Sequence, residues 1–351
     1  MATTRELAGY FRRQAATMRA RAPFTAEVCA AIAERAEIVE ILRSAPEHQQ
    51  LPVLLLAAVH DQVLADAGCE LAQWYPTATT AARRDPVGPA LERHCARRAD
   101  ELRAVVARRS TQTNEVGRCA LFVPALAPVG AERGPLALVD VGTSGGLNLR
   151  LDHYEYHYRP GGSVGAASPV RLEAGTRGDV PVPRALPEVA GRIGLDREPV
   201  DLDDPVAARW LTACIWPDQV DRFERLKAAL EIAHRHPAEV RRGDAVDDVA
   251  AAVDAAAPLG HPVVLNSWVL NYLPDDHRLR YVAELDRIGS QHDLTWVFAE
   301  SPALCPGLPF DASVTDQHVT ALVRVRWRDG RRTVEPLAVC HPHGYWLHWS
   351  R

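Results

Sequence analysis

What this chain lacks narrows its class before any motif is read. It has no excess of positive charge. With 40 Lys and Arg against 45 Asp and Glu, the formal net charge of −5 offers no general attraction for nucleic acid or acidic lipid. The clusters Arg97-Arg98 and Arg108-Arg109 fall within helical patterns and read as solvated faces. There is no CxxC pair. The seven cysteines, at 29, 69, 95, 119, 214, 305 and 340, form an odd, scattered set, which predicts reduced thiols rather than a disulfide framework or a tetrahedral zinc site. No apolar run is long enough to span a membrane, the longest being Leu51 to Val59. Met1 to Arg13 is charged early and lacks the apolar core of a signal peptide. These absences predict a soluble, cytoplasmic protein without a nucleic-acid or membrane partner. Neither an internal repeat nor a low-complexity linker is visible, so the domains are expected to pack directly on one another.

At 351 residues the chain can bury a sizeable core and hold two domains. Residues 1–130 read as helical. Leu7, Tyr10, Phe11 and Met18 mark one helix between Glu6 and Arg21, and Thr25 can cap another through Ala26 to Arg43. Leu51 to Leu64 reads as a core helix, and Asp85-Pro86 opens a long one ending near Arg109. From residue 131 to 351 the pattern changes. Short apolar runs at Leu136–Val141, Glu188–Leu195, Glu239–Arg242, Val263–Leu265 and Leu294–Ala299 alternate with helical stretches at Leu147–Tyr154, Val206–Ala213, Asp218–His234, Asp247–Ala256 and Asp275–Ile288. Such alternation predicts βαβ units around a mostly parallel sheet, with ligands met at one edge. Residues 159–190, rich in Gly, Pro and Arg, read as an irregular insertion. Val319–Trp327 and Thr333–Val339 flank Asp329-Gly330, which predicts an antiparallel C-terminal hairpin.

The richest local signal is Leu136-Ala137-Leu138-Val139-Asp140-Val141-Gly142-Thr143-Ser144-Gly145-Gly146-Leu147-Asn148-Leu149, a buried strand that ends in an acid, a glycine turn and a helix. A turn of this kind is expected to leave N–H groups of the next helix for a ligand. It is not a P-loop, since no Gly-Lys-Ser/Thr follows, and its spacing does not match GxGxxG. No Gly-x-Ser-x-Gly elbow supports a hydrolase. Asp140, Gly142 and Gly146 do resemble acid-x-Gly-x-Gly-x-Gly, the first motif of class I S-adenosylmethionine (SAM)-dependent methyltransferases, with Ser144 in place of the middle glycine. The resemblance implies a Rossmann-like α/β sheet. It also implies an acid for the ribose hydroxyls after the second strand, where Asp196 stands with Asp201 and Asp203 as rivals, and an acid or amide near adenine after the third, where Asp244 stands. After the fourth strand, Asn266 and Ser267 precede Trp268 at the same expected pocket. Singly, each of these aspartates also fits a helix cap or a turn.

Over nearly its full length the chain resembles a bacterial family called domain of unknown function 2332. The resemblance rests on Gln112-Thr113-Asn114-Glu115-Val116-Gly117-Arg118-Cys119, on Asp140 to Leu149, and on Arg209-Trp210-Leu211 with Ile215-Trp216-Pro217-Asp218-Gln219. Arg242-Gly243-Asp244 and His341-Pro342-His343-Gly344-Tyr345-Trp346 complete it. It implies an N-terminal α-helical domain and a methyltransferase-like sheet. In one place the chain departs from the family, having Asn266-Ser267 where a His-Ser pair is expected.

Methyl transfer from a sulfonium is a displacement that needs alignment and, for some nucleophiles, a base, but no metal. Glu115, Asn114, Arg118 and Tyr272 are the candidate catalytic residues, with His157 and His343 as further bases or anchors. The polar 112–118 segment can equally be a helix cap or a pocket rim. Asp140, Gly142, Ser144, Gly146, Asn148, Asp196, Asp244, Asn266 and Ser267 are the candidate SAM-binding set. His153 and His157 have helix-face spacing but no third metal ligand, and His341-Pro342-His343 reads as a loop. Trp210 and Trp216 read as core packing. The expected activity is SAM-dependent small-molecule methyl transfer, with the N-terminal helical domain packed over the active site. A non-methylating substitution, such as an intramolecular cyclisation, keeps the same fold. A third reading is a non-catalytic partner subunit, and a protein partner or homodimer is open in each.

Overall fold

A computed structural model describes residues 2–304 and 319–350, so Cys305 lies outside the described residues. The chain divides into two compact units, Met1–Thr113 with Asp201–Lys227, and Asn114–Val200 with Ala228–Arg351.

The first unit is helical. Helix α1 (Thr4–Met18) opens with a capping box between Thr3 and Glu6 and buries Leu7, Phe11 and Met18. The single helix expected over 26–43 is two, α2 (Pro23–Ala33) and α3 (Ala36–Ile41). They break at Arg35, whose backbone is extended while its guanidinium donates to Ala31 O at 2.7 Å and Glu92 Oε2 at 3.0 Å. Helix α4 (Pro52–Ala65) is buried almost all round. The long helix expected to end near Arg109 is likewise two, α5 (Gly88–Arg97) and α6 (Ala99–Arg108), broken at Arg98. Residues 201–227 join this unit through α8 (Pro205–Ala213) and the first part of α9 (Val220–Arg235). Polar side chains fasten them. The Arg209 guanidinium forks onto the Asp61 carboxylate at 2.8 and 3.4 Å, and Trp210 Nε1–H donates to Ser110 O at 2.9 Å. The His60 ring bridges Ala213 O and Thr77 Oγ1, and burial pushes its pKa down to about 4, so the imidazole is neutral. Asp218 accepts the Phe24 and Thr25 N–H groups, capping α2 from a distant part of the chain. Trp210 packs into this core, as expected of a buried indole.

The second unit is a mixed, mostly parallel α/β sheet. Its strands are β1 (Leu136–Val141), β2 (Glu155–Arg159), β3 (Gly162–Val164), β4 (Arg171–Arg177), β5 (Val189–Asp196), β6 (Glu239–Arg242), β7 (His261–Ser267), β8 (Leu294–Glu300), β9 (Thr320–Arg328), β10 (Arg331–Cys340) and β11 (Trp346–Trp349), in the order β3-β2-β4-β11-β10-β9-β8-β7-β1-β5-β6. Strands β6, β5, β1, β7 and β8 are parallel neighbours. Their order reverses at β1, which makes a switch point of the Rossmann type. Helices α10 (Val249–Ala256) and α11 (Asp275–Gly289) cover one face, where Val139, Val253, Tyr281, Leu285 and Trp296 share a core. Helix α7 (Cys119–Arg133) carries Pro124 in its interior. The ring deprives Ala120 O of its helical donor, and the Tyr158 hydroxyl donates to it instead, at 3.0 Å.

Residues 159–190 are not simply irregular, because β3 and β4 lie there and extend the same sheet. In β4, Leu172, Ala174 and Thr176 turn inward between exposed neighbours, a period-2 pattern that Gly175 and the flanking arginines obscure. The helix expected at 147–154 is a 3-10 segment, Leu147–His153, and His157 lies on β2 rather than on a helix face. The C-terminal hairpin is present, with Asp329 and Gly330 both at positive φ as a two-residue turn requires. A further strand, β11, follows it and pairs with β4.

Candidate active site

The carboxyl ends of the parallel strands carry the candidate residues. Strand β1 is wholly buried and carries Asp140 one residue before its end, the carboxylate accepting the Thr143 hydroxyl at 2.8 Å. Burial pushes Asp140 up to about 7, and the charge of Asp196 adds to this, against the Thr143 hydrogen bond and the Arg118 charge. The turn beyond it has positive φ at Gly142, Ser144 and Gly146. Its amides are used within the fold. Gly142 N–H donates to Leu195 O at 2.8 Å, Ser144 N–H to Asp196 Oδ2 at 2.7 Å, Gly146 N–H to Thr143 O at 2.8 Å and Leu147 N–H to Asn114 Oδ1 at 3.2 Å. The expectation that this turn leaves its N–H groups to a ligand therefore does not hold for these four.

Three acids stand at or near the ends of adjoining strands. Asp140 comes one residue before the end of β1. Half-buried Asp196 ends β5, where it also accepts Glu198 N–H at 2.9 Å. Asp244 follows β6, accepting Val246 N–H at 2.8 Å and facing Arg197 at 3.4 Å.

The 114–118 segment ties this edge together. Asn114 reaches the residue after the glycine turn, as above. Glu115 is 4% exposed, with Oε1 accepting Gly117 N–H at 3.0 Å and Oε2 facing His343 Nδ1 at 3.4 Å. Buried Arg118 donates through Nε to Pro342 O at 2.9 Å and through Nη1 to Ser267 O and Oγ at 3.1 and 3.2 Å. Of the two roles weighed for this segment, Glu115 caps the short 3-10 turn Val116–Arg118 and at the same time meets His343.

The family model described as an uncharacterized protein conserved in bacteria, DUF2332, matches residues 8–349. The chain belongs to this family. No curated protein and no solved structure matches it. In this DUF2332 chain residues 114–119 of the first resemblance string converge with the 140–149 and 341–346 segments on one sheet edge of the second unit, through Asn114 and Arg118.

Other candidates are placed differently. Tyr272 is 74% exposed on the turn after β7 and takes no part in these contacts. Asn266 is wholly buried and its side chain is turned into the core, where its amide donates to Glu300 Oε1 and its oxygen accepts Trp296 Nε1–H and the Tyr281 hydroxyl. Asn148 Oδ1 lies 3.4 Å from the buried Cys119 thiol. Gly146 gives close approach to Arg150 and Val240. His157 bonds Glu155 and Ser163 on the β2 surface.

Glu300 is the residue that sequence reasoning missed. It ends the buried β8 and accepts from Asn266 Nδ2 at 2.6 Å, Val269 N–H at 2.8 Å and Leu270 N–H at 3.2 Å. Burial pushes it up to about 7 against these bonds and the Arg118 charge. It holds the turn in which Trp268 has a φ of 58°, an uncommon conformation for a bulky residue and a costly one. An acid closing an apolar run was the available signal, as at Asp140. Among the described residues, no group of three or more His, Cys, Asp and Glu is placed to hold a metal, and no helix is long and apolar enough to cross a membrane.

Proposed function

We propose that this carboxyl edge binds SAM and that the protein is a SAM-dependent small-molecule methyltransferase of the class I type. One observation carries the reading. Asp140, Asp196 and Asp244 form a row of acceptors at the ends of adjoining parallel strands, beside a positive-φ glycine turn at the switch point. The donor set fits the cofactor in kind. Four of the turn's amides are spent within the fold, so the cofactor's own carboxylate would take its donors elsewhere. A ligand rich in donors and positive charge finds carboxylates instead. Asp196 would take the ribose hydroxyls with the acceptor capacity left beyond its two backbone bonds, and Asp244 the adenine amino group. When bound, the cofactor supplies a methyl group activated by its sulfonium. The chain's share is to align the acceptor and to hold charge, with Arg118 and Glu115 as buried groups of opposite sign at the same edge.

Calorimetry with SAM and with its demethylated product tests this. Binding is expected for both, weakened at least ~10-fold by Asp196→Ala. No binding at millimolar ligand to folded protein overturns it.

A further inference from the structure

The opposite edge of the second unit, where the parallel strands begin, holds a cavity of about 770 Å³, a size that suits a small molecule. His261 and Leu294, which open β7 and β8, line it together with Val129 of α7. The tip of the β9–β10 hairpin adds Arg326, Arg328, Arg331 and Thr333. Alternate residues of a strand share a face, so Arg324, Arg326 and Arg328 form a row, with their register partners Glu335, Thr333 and Arg331 beside them. Most of these cations are answered. Arg324 Nε–H donates to Glu335 Oε2 at 3.0 Å, and Arg326 donates to the same carboxylate. Glu132, near the end of α7, accepts from Arg326 at 3.2 Å and from Arg328 at 2.7 Å, while Asp293 holds Arg133. Arg331 is the exception, since none of the described residues pairs with it. It stands directly opposite Arg328 across the turn, a placement in which like charges repel. With Asp329 included, five arginines meet four carboxylates around the cavity. His261 shares a hydrogen bond with Thr295 Oγ1 at 2.9 Å, and burial and the Arg133 charge push its pKa down to about 4, so it adds no charge.

We infer that this cavity binds the phosphate ester of a small hydroxyl-bearing molecule, with the phosphate seated across Arg328 and Arg331. Each guanidinium can fork onto phosphate oxygens, and a phosphate carries a charge of about −1.5 to −2 near neutral pH. One such group therefore offsets the repulsion between both arginines, whereas a carboxylate brings a single charge and two oxygens. Bare phosphate would leave most of the volume unfilled. The rest of the lining suits a polar body. Thr295, Thr333, His261 and Glu132 offer hydrogen-bonding groups, while the one lining indole, Trp327, is 3% exposed and already donates to Asp286 Oδ1 at 3.0 Å. The cavity thus holds no aromatic platform for a planar ring. It lies at the amino ends of the strands, away from the acidic row, so the inference stands apart from the cofactor reading.

Calorimetry of the full-length protein in phosphate-free buffer at low salt tests the site, with ribose phosphorylated on its primary hydroxyl as the probe. Saturable binding is expected, weakened at least ~10-fold by Arg331→Ala, with citrate weaker than the probe and ribose weaker still. No binding at millimolar probe, or equal binding by Arg331→Ala, overturns the site. Citrate binding tighter than the probe overturns the phosphate class, and inorganic phosphate binding as tightly as the probe overturns the ester. The variant carries its own control for folding. Arg331 has no partner to lose and faces Arg328, so the urea midpoint of Arg331→Ala should equal or exceed that of the wild type at low salt. A lower midpoint would mean that the fold itself uses Arg331, and overturns its assignment to a ligand.

Discussion

Val269 packs onto Gly142 so closely that a Cβ at residue 142 would lie 2.4 Å from its Cγ2. Gly142 also has a φ of +71°, so two independent constraints exclude a side chain at the first residue after β1. Gly142→Ala is therefore expected to lower stability by ~2–4 kcal/mol, read as a fall in the urea midpoint at unchanged slope. A loss within experimental error would mean that the β7 turn yields freely.

Asp140 links stability to pH. Its folded pKa, about 7, is above the unfolded value near 3.8, so between these pH values the folded state binds more protons than the unfolded state and stability falls as pH rises. The full effect is on the order of 4 kcal/mol, complete above about pH 7. Asp140→Asn keeps an oxygen for the Thr143 hydroxyl and removes the titration. Denaturation at pH 5 and pH 8 should show a larger loss on going to pH 8 in the wild type than in the variant. Parallel behaviour of the two would remove Asp140 as the titrating group.

Glu300 accepts hydrogen bonds at both oxygens, and an amide cannot copy this. Glu300→Gln turns a donor towards either Leu270 N–H or the Asn266 and Val269 donors, at an expected cost of ~1–3 kcal/mol at pH 8. Hydrogen exchange at the Val269 and Leu270 amides should quicken beyond any global change. Protection equal to the wild type would show that the turn is held by other bonds.

Arg118→Lys keeps the charge but not the fork. An ammonium cannot serve both Pro342 O and Ser267 with the planar geometry of the guanidinium, so the amides of His341, His343 and Gly344 should exchange at least ~5-fold faster in the variant. Unchanged protection would leave the close packing of Gly344 against Gly117 as the sufficient lock.

Asp218→Ala removes the acceptor for two N–H groups at the start of α2, with an expected loss of ~1–2 kcal/mol in the thermal or urea unfolding of the chain. No loss would show that water replaces the cap.

The glycine turn and its acids were legible because their chemistry is local: a buried apolar run, an acid, and glycines at positive φ. The hairpin was legible for the same reason, since Asp329-Gly330 states its own turn. Asn266 was not. Pro262 to Asn266 are buried on both faces of β7, so no alternation of polar and apolar residues reveals that Asn266 points at Trp296 rather than at the edge. Tyr272 was chosen for its chemistry, and only its exposure sets it apart. Strand β4 was hidden by Gly175 and by exposed charges, and β11, besides its neighbour β10, pairs with β4, far away in sequence.

Taken alone, the sequence determines the alternation of strands and helices, the conformation of the glycine turn and the family. These follow from propensity, period and backbone sterics, which act over a few residues. The tertiary structure decided the rest. It joins residues 201–227 to the helical unit, ends β8 in a buried Glu300, turns Asn266 inward, and brings Glu115 to His343 and Arg118 to Ser267. Each of these depends on pairing between segments far apart in the chain, where hydrogen bonding and burial, not local preference, choose the partner.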